Sequence, residues 1–430
     1  MARRLHTSDA DFERVFTELV EGARHVPEDV ADTVRAIIAD IRVRGVGAVI
    51  EYTRRFDGFD PGANLSPLDA QALDVARRKC SPLLLEDLDF AAARIRDYHK
   101  RQLPADNDYV DEAGVRLGWR WTPVSAAGLY APGGRAAYPS SVLMNAIPAT
   151  VAGVRRLCMC APTPGGTANP AVLAAASIAG VSELWPIGGA QAIAAMAYGA
   201  APIAPVDVIV GPGNAFVAEA KRQVFGVVGI DAVAGPSEIL VVADAANDPG
   251  WIAADLLSQA EHDPSSQSVL ITDDSAFANA VASEVERQLA ASPRREIAAA
   301  AWNDNSAVII VGALGEAPAL IDALAPEHLE LAVGDPDGLA AKVSNAGAIF
   351  LGRHTPEALG DYVAGPNHVL PTARTARFAS GLSPLNFMKR TSIIGASAQA
   401  VANIGPAAAR LADVEGLPSH AQSIQLRITD

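Results

Sequence analysis

Gln259 and His262 stand three residues apart in the stretch that runs from Asn247 to Pro264. On a helix that spacing places both on one face, so an amide oxygen and an imidazole nitrogen can reach a single ion from one rigid element. Two further polar stretches, Gly360-Asp361-Tyr-Val-Ala-Gly-Pro-Asn-His368 and Glu415-Gly-Leu-Pro-Ser-His420, each set a carboxylate near a histidine in a segment shaped by Gly and Pro. Gln259, His262, Asp361 and His420 would together offer two nitrogens and two oxygens, a donor set that suits Zn²⁺ and would also accept Mn²⁺ or Co²⁺. With no thiolate among them, this is not the ligand set of a structural zinc finger. A third stretch, Ala325-Pro-Glu327-His328-Leu-Glu-Leu331, puts an acid and an imidazole side by side before an alternating apolar run. If both face a cleft they supply two proton-transfer groups; if not, they are a solvated pair at a strand start.

Glycine loops supply a second kind of chemistry. Ala131-Pro-Gly-Gly134, Gly188-Gly189 and Gly211-Pro-Gly-Asn214 follow strands or precede helices, where backbone amides can meet phosphate. The string Gly211-x-Gly213-x-x-Phe216 lacks the third glycine of the dinucleotide fingerprint, so its pattern alone ranks dinucleotide binding only a little above a structural turn.

These residues need elements to hold them. Asp248 can cap a helix that Pro249 starts and Pro264 ends. Residues 11 to about 100 are charged and helical in period, as in Val34, Ile37, Ile38 and Ile41. From Thr122 short β-branched runs alternate with alanine-rich helices: Leu184–Gly189 before Ala190–Tyr198, Val206–Val210 before Asn214–Phe225, then Glu238–Ala243, Val269–Thr272, Val308–Val311 and Ala348–Leu351. The pattern predicts a mostly parallel α/β core in two sheets. After about Phe387 the strand pattern fades, and Ala396–Leu411 reads as a helix of a small tail domain.

Composition bounds the class. The 430 residues suffice for two or more cores, and a formal charge of -15 opposes nucleic acid and anionic lipid as partners. Ala192–Val210 is apolar but interrupted by Pro202, Pro205 and Asp207, which reads as a buried helix and a strand rather than a membrane span. The N-terminus has no apolar export segment, and the three cysteines form no disulfide framework, which fits a reducing, cytoplasmic setting. Cys158 and Cys160 alternate on one strand face and read as small buried apolar groups.

The strings Gly128-Leu-Tyr130-Ala-Pro-Gly-Gly134, Tyr138-Pro-Ser-Ser-Val-Leu-Met144, Gly211-Pro-Gly-Asn214, Gly235-Pro-Ser-Glu-Ile239, Leu256-Leu-Ser-Gln-Ala-Glu-His-Asp263 and Gly365-Pro-Asn-His-Val-Leu-Pro371 resemble the histidinol dehydrogenase family, in the family's order and over nearly the whole chain. The resemblance implies an α/β fold of two Rossmann-like, mostly parallel domains with small helical segments at both ends. It sets them at residues 1–24 (N-terminal segment), 25–129 with 240–381 (first domain), 130–239 (second domain) and 382–430 (tail).

It also implies an intertwined homodimer, in which Glu415 and His420 of the tail complete the other subunit's site. Zn²⁺ would be held by Gln259, His262, Asp361 and His420. L-Histidinol would be held through that metal, with Ser237, His328, His368 and Glu415 lining the remaining contacts. NAD would meet Tyr130, Gln191 and Asn214, and His328 and Glu327 would move protons in two successive oxidations ending at L-histidine. Rival readings are a related dehydrogenase of another polar alcohol such as a sulfonated diol, a zinc hydrolase in which the glycine loops are plain turns, and a non-catalytic binding protein.

Overall fold

The computed structural model describes residues 2–22, 28–62, 65–132, 138–166 and 168–428. Gly133 and Gly134 of the first glycine loop lie outside the described residues. In chain order the strands are β1 (Arg3–His6), β2 (Asn107–Val110), β3 (Arg116–Pro123), β4 (Ala126–Tyr130), β5 (Arg156–Cys160), β6 (Glu183–Trp185), β7 (Val208–Val210) and β8 (Gly229–Ile230). They continue with β9 (Glu238–Ala243), β10 (Gln267–Thr272), β11 (Ala307–Ile310), β12 (His328–Ala332), β13 (Ala348–Leu351) and β14 (Met388–Gly395).

Two parallel sheets result, a five-stranded one in the order β6-β5-β4-β7-β8 and a six-stranded one in the order β1-β11-β10-β9-β12-β13. Parallel strands are covered on both faces, which is why they read as unbroken apolar runs. One face of the five-stranded sheet packs Ile209, Cys158 and Cys160 against Ile193 and Met196 and against Val34, Ile37, Ile38 and Ile41 of the helix Glu28–Arg44. The other packs Leu129 and Met159 against Met144 and Ile147 of the helix Pro139–Ala152 and Ile95 of the helix Pro82–Lys100. The six-stranded sheet is covered in the same way, by Ile252 and Leu256 of the helix Pro249–Ala260 on one face and by Phe12, Phe16 and Ile321 on the other.

Three features differ from the sequence expectation. The helices between residues 28 and 100 pack chiefly on the five-stranded sheet, while the helix Pro82–Lys100 also meets residues 363–367 through Arg94 and His99; an amphipathic stripe shows that a helix has a partner without naming it. The N-terminal segment is more than helical: β1 adds an edge strand beside β11, too short to show a period. In the tail, β14 pairs antiparallel with β3, which also pairs with β2; its Lys-Arg-Thr-Ser run is exposed and so carries no apolar alternation. Among the described residues no helix is long and apolar enough to cross a membrane.

Candidate active site

Asp248 caps the helix Pro249–Ala260 by accepting a hydrogen bond from Gly250 N at 2.7 Å, as the sequence implied, and the helix ends in Gln259 and Ala260. Gln259 is fully buried with its side chain turned to the Glu357 carboxyl, and neither its Oε1 nor its Nε2 makes a well-formed hydrogen bond among the described residues. The helix stops at Ala260, short of Pro264, so His262 lies two residues beyond it and does not share a helical face with Gln259 as the spacing predicted. A tightened last turn holds it instead, its N–H donating to the Gln259 carbonyl at 3.0 Å. An amide left unpaired in the interior is costly unless something absent here meets it.

The six-stranded sheet brings Glu327 and His328 to the same spot, at the amino end of β12 where it lies beside β9. Both grip the backbone of Glu238: the Glu327 carboxylate accepts from Glu238 N at 3.0 Å, and His328 Nδ1 lies 3.0 Å from Glu238 O. A carbonyl only accepts, so Nδ1 carries the ring proton and Nε2 is left as a bare lone pair. Nε2 is buried and without a hydrogen-bond partner among the described residues, and it faces Glu357 Oε1 at 3.5 Å. Burial pushes His328 down to about 4, so its ring is neutral at neutral pH. Burial raises Glu327 well above the usual carboxylate range, with Glu238, Asp361 and Glu357 adding repulsion. Gly347 lets this edge close up: a Cβ there would stand 2.5 Å from the Glu327 carbonyl oxygen.

Asp361 sits in the short helix Ala358–Tyr362, and burial followed by repulsion from Glu357 pushes its carboxyl up to about 8. Ligating atoms of His328, Glu357 and Asp361 all lie within 4.8 Å of one another. His262 is near enough to Glu357, His328 and His368 for their charges to couple. His368 gives its Nδ1–H to Asp361 O at 2.9 Å, and its Nε2 lies 3.3 Å from the Ser141 hydroxyl, on the helix that follows β4. It therefore ties this cluster to the five-stranded sheet. Asn367, next to it, is fixed by the Met144 carbonyl at 2.6 Å. Ser237 lies immediately before β9, its carbonyl held by Gln267 N at 2.9 Å.

Gln259, His262, Glu327, His328, Asp361 and His368 thus converge. Glu415 and His420 do not: both are exposed in the tail, and neither has a hydrogen bond or ion pair to this cluster among the described residues. Glu357 was missed by the sequence reading. It is 1% exposed and braced by the Ser258 hydroxyl at 3.1 Å. The signal for it was its place four residues before Asp361, on the same helical face.

The five-stranded sheet carries the other group. Its chain order reverses between β4 and β7, and ligands of open α/β sheets bind beyond the carboxyl ends of strands at such a switch point. Tyr130 ends β4, and its hydroxyl accepts from Gly189 N at 3.1 Å. Gln191 is fully buried on the helix Gly189–Tyr198, its Nε2 3.5 Å from Asp57 and its Oε1 without a partner among the described residues. Asp57, also missed, accepts from Gly188 N at 3.2 Å. Asn214 is exposed at the start of the helix Ala215–Val224 and caps it through Val217 N at 3.2 Å.

Comparison with known proteins agrees with this architecture. The family model described as histidinol dehydrogenase matches residues 21–428. The histidinol dehydrogenase of Rhodospirillum rubrum is 60% identical over 429 residues, covering 100% of this chain and 99% of the relative. That of Rhizobium meliloti is 57% identical over 428 residues, covering 100% and 99%. The crystal structure of histidinol dehydrogenase from Elizabethkingia anophelis superimposes with a TM-score of 0.94 at 34% identity, covering 100% of this chain and 98% of that one. A family model that matches residues 21–428 and relatives 57% to 60% identical over the whole chain place this protein in the histidinol dehydrogenase family.

Proposed function

We propose that this protein oxidises L-histidinol through L-histidinal to L-histidine, the last steps of histidine biosynthesis, as a cytoplasmic homodimer that uses Zn²⁺ and two NAD⁺ per turnover. The observation that carries the reading is His328, whose Nδ1–H is committed to the Glu238 carbonyl while its buried Nε2 lone pair stays free beside the Glu357 carboxyl. Such a nitrogen is unprotonated at neutral pH and open to take a proton from a bound alcohol.

His328 Nε2 takes the hydroxyl proton as the carbinol carbon loses hydride, leaving the aldehyde. Glu327, its carboxylate held by Glu238 N, takes a proton from water as that water adds to the aldehyde carbon, and the carbonyl oxygen takes back the proton that His328 had accepted, giving a hydrate. The hydrate is again an alcohol at the same carbon, so His328 serves a second time and the product is the carboxylate. Each oxidation removes two electrons as one hydride; alcohol to aldehyde releases one proton and hydrate to carboxylate releases two. When bound, Zn²⁺ would anchor the amino and imidazole nitrogens of the substrate and NAD⁺ would accept the hydride.

The residues fit both groups. Gln259, whose buried amide has no well-formed hydrogen bond, His262 and Asp361 would hold the metal from this subunit, with His420 of a second subunit completing the set. The triplet gathered here, His328, Glu357 and Asp361, shares only Asp361 with that set, which leaves His328 for the base role. Ser237, His368 and Glu415 would contact the substrate. Tyr130, Gln191 and Asn214 would contact NAD, with the start of the helix Ala215–Val224 offering amides to its pyrophosphate.

NADH absorbance with L-histidinol and a panel of polar alcohols, a sulfonated diol among them, tests the assignment. Selective turnover of L-histidinol is expected, and turnover of another alcohol alone would discard the substrate.

A further inference from the structure

The turn that leads from β7 to Asn214 begins at Gly211, a buried residue whose two backbone groups are both held by side chains. Gly211 N donates to Asp231 Oδ2 at 2.8 Å, and Lys221 Nζ donates to Gly211 O at 2.9 Å. Lys221 and Asp231 are also ion-paired to each other, at 2% and 5% side-chain exposure. Lys221 reaches back from the helix that Asn214 caps, and Asp231 follows β8 on the other side. The closed unit is therefore helix, ion pair, turn and strand end.

Gly211 has φ +118, and a Cβ there would stand 2.1 Å from the Tyr130 carbonyl oxygen, so the turn is pressed against the end of β4. Clamping Gly211 consequently fixes the spacing of Tyr130 and Asn214 at the switch point. Stability alone is a weak reason for such a pair: burying two charges costs desolvation that apolar residues of like volume avoid, and a buried pair is better explained where one local geometry must be specified.

We propose that Lys221 and Asp231 are positioning residues for the cofactor, acting through Gly211 to hold the Gly211–Asn214 turn in its binding shape before NAD arrives. The inference rests on the reading of Tyr130 and Asn214 as cofactor contacts. It makes the missing third glycine of the turn intelligible, since the shape is fixed here by side chains rather than by a glycine pattern.

The test is NADH affinity, read by its fluorescence on the purified full-length enzyme, for Lys221→Met, Asp231→Asn, the double variant and Asn214→Ala, with the melting temperature and kcat and KM measured alongside. Each clamp variant is expected to weaken NADH by about tenfold with the KM for histidinol unchanged, and the double variant to be no weaker than the worse single one. Melting temperatures that fall while NADH affinity stays within about twofold would overturn the proposal and leave a structural pair. Asn214→Ala at unaltered affinity would remove the cofactor reading itself and the proposal with it; Asn214→Ala weakened beside unaffected clamp variants would remove the proposal alone. Should the clamp variants not fold, hydrogen exchange of residues 208–216 in the unsubstituted protein decides: protection already present without NAD⁺ supports the proposal, and protection that appears only with NAD⁺ overturns it.

Discussion

His328 Nε2 and Glu357 Oε1 face each other at 3.5 Å, both buried and neither hydrogen-bonded among the described residues. With the His328 proton committed at Nδ1, two lone pairs meet, an arrangement that only a proton or a cation between them relieves. Burial raises the Glu357 carboxyl, and the Ser258 hydroxyl offsets part of that rise. Glu357→Gln should therefore lower zinc affinity, measured by competition with a chromophoric chelator, by about 10- to 100-fold. It should leave the melting temperature of the zinc-free protein level or higher, since one buried acid is gone. Unchanged zinc affinity would make Glu357 a purely structural acid.

Glu327 and His328 hold the same Glu238 backbone, and the proposed reaction gives them different tasks. His328→Asn should depress both half-reactions, histidinol to aldehyde and aldehyde to histidine, by about 10²- to 10⁴-fold. Glu327→Gln should keep histidinol oxidation and slow chiefly the second half-reaction, where water must be activated. Supplying the aldehyde directly to each variant separates the steps. Equal losses in both half-reactions for Glu327→Gln would end this division of labour.

The exposed tail makes its own prediction. If Glu415 and His420 serve the other subunit, His262→Asn and His420→Asn proteins should each be inactive alone, yet mixed dimers of the two contain one intact site. Co-expression should restore about a quarter of the unsubstituted activity, because half of randomly paired dimers are mixed and each holds one good site of two. No recovery in mixed dimers isolated through two affinity tags would place His420 in its own subunit's site.

Behind the site, Glu330 lies against Asp255, and burial, then repulsion from Asp255, raises it to about 9, against about 6 for Asp255. A carboxyl raised on folding stabilises fully below its unfolded value, and that contribution is lost as pH rises through the folded value. The stability difference between the native protein and Glu330→Gln should therefore fall as pH climbs from about 4.5 to 9, by at most about 1.4 kcal/mol per pH unit. Urea denaturation of both zinc-free proteins across that range measures it, and a difference independent of pH would show that Glu330 does not bind the proton.

Much of this architecture was legible in residue spacing. Asp248, Pro249 and the apolar run after them specified a helix whose last turn presents Gln259, and Val34, Ile37, Ile38 and Ile41 specified a buried stripe. Glu327 and His328 were legible as a pair, but the residue they share, Glu238, is supplied by a strand about ninety positions earlier, and spacing carries no trace of sheet order. Glu357 escaped because the helix after it, Ala358–Tyr362, is too short for periodicity to show. The clamp on Gly211 escaped because Lys221 and Asp231 look like ordinary surface charges until burial is known.

The most direct test counts NADH against L-histidinol consumed by the purified enzyme, before chelation, after it and after zinc is returned. Two NADH per histidinol, with activity lost on chelation and regained with zinc, is the expected result. One NADH with the aldehyde released, or turnover indifferent to chelation, would contradict a single zinc-dependent site in which His328 serves both oxidations.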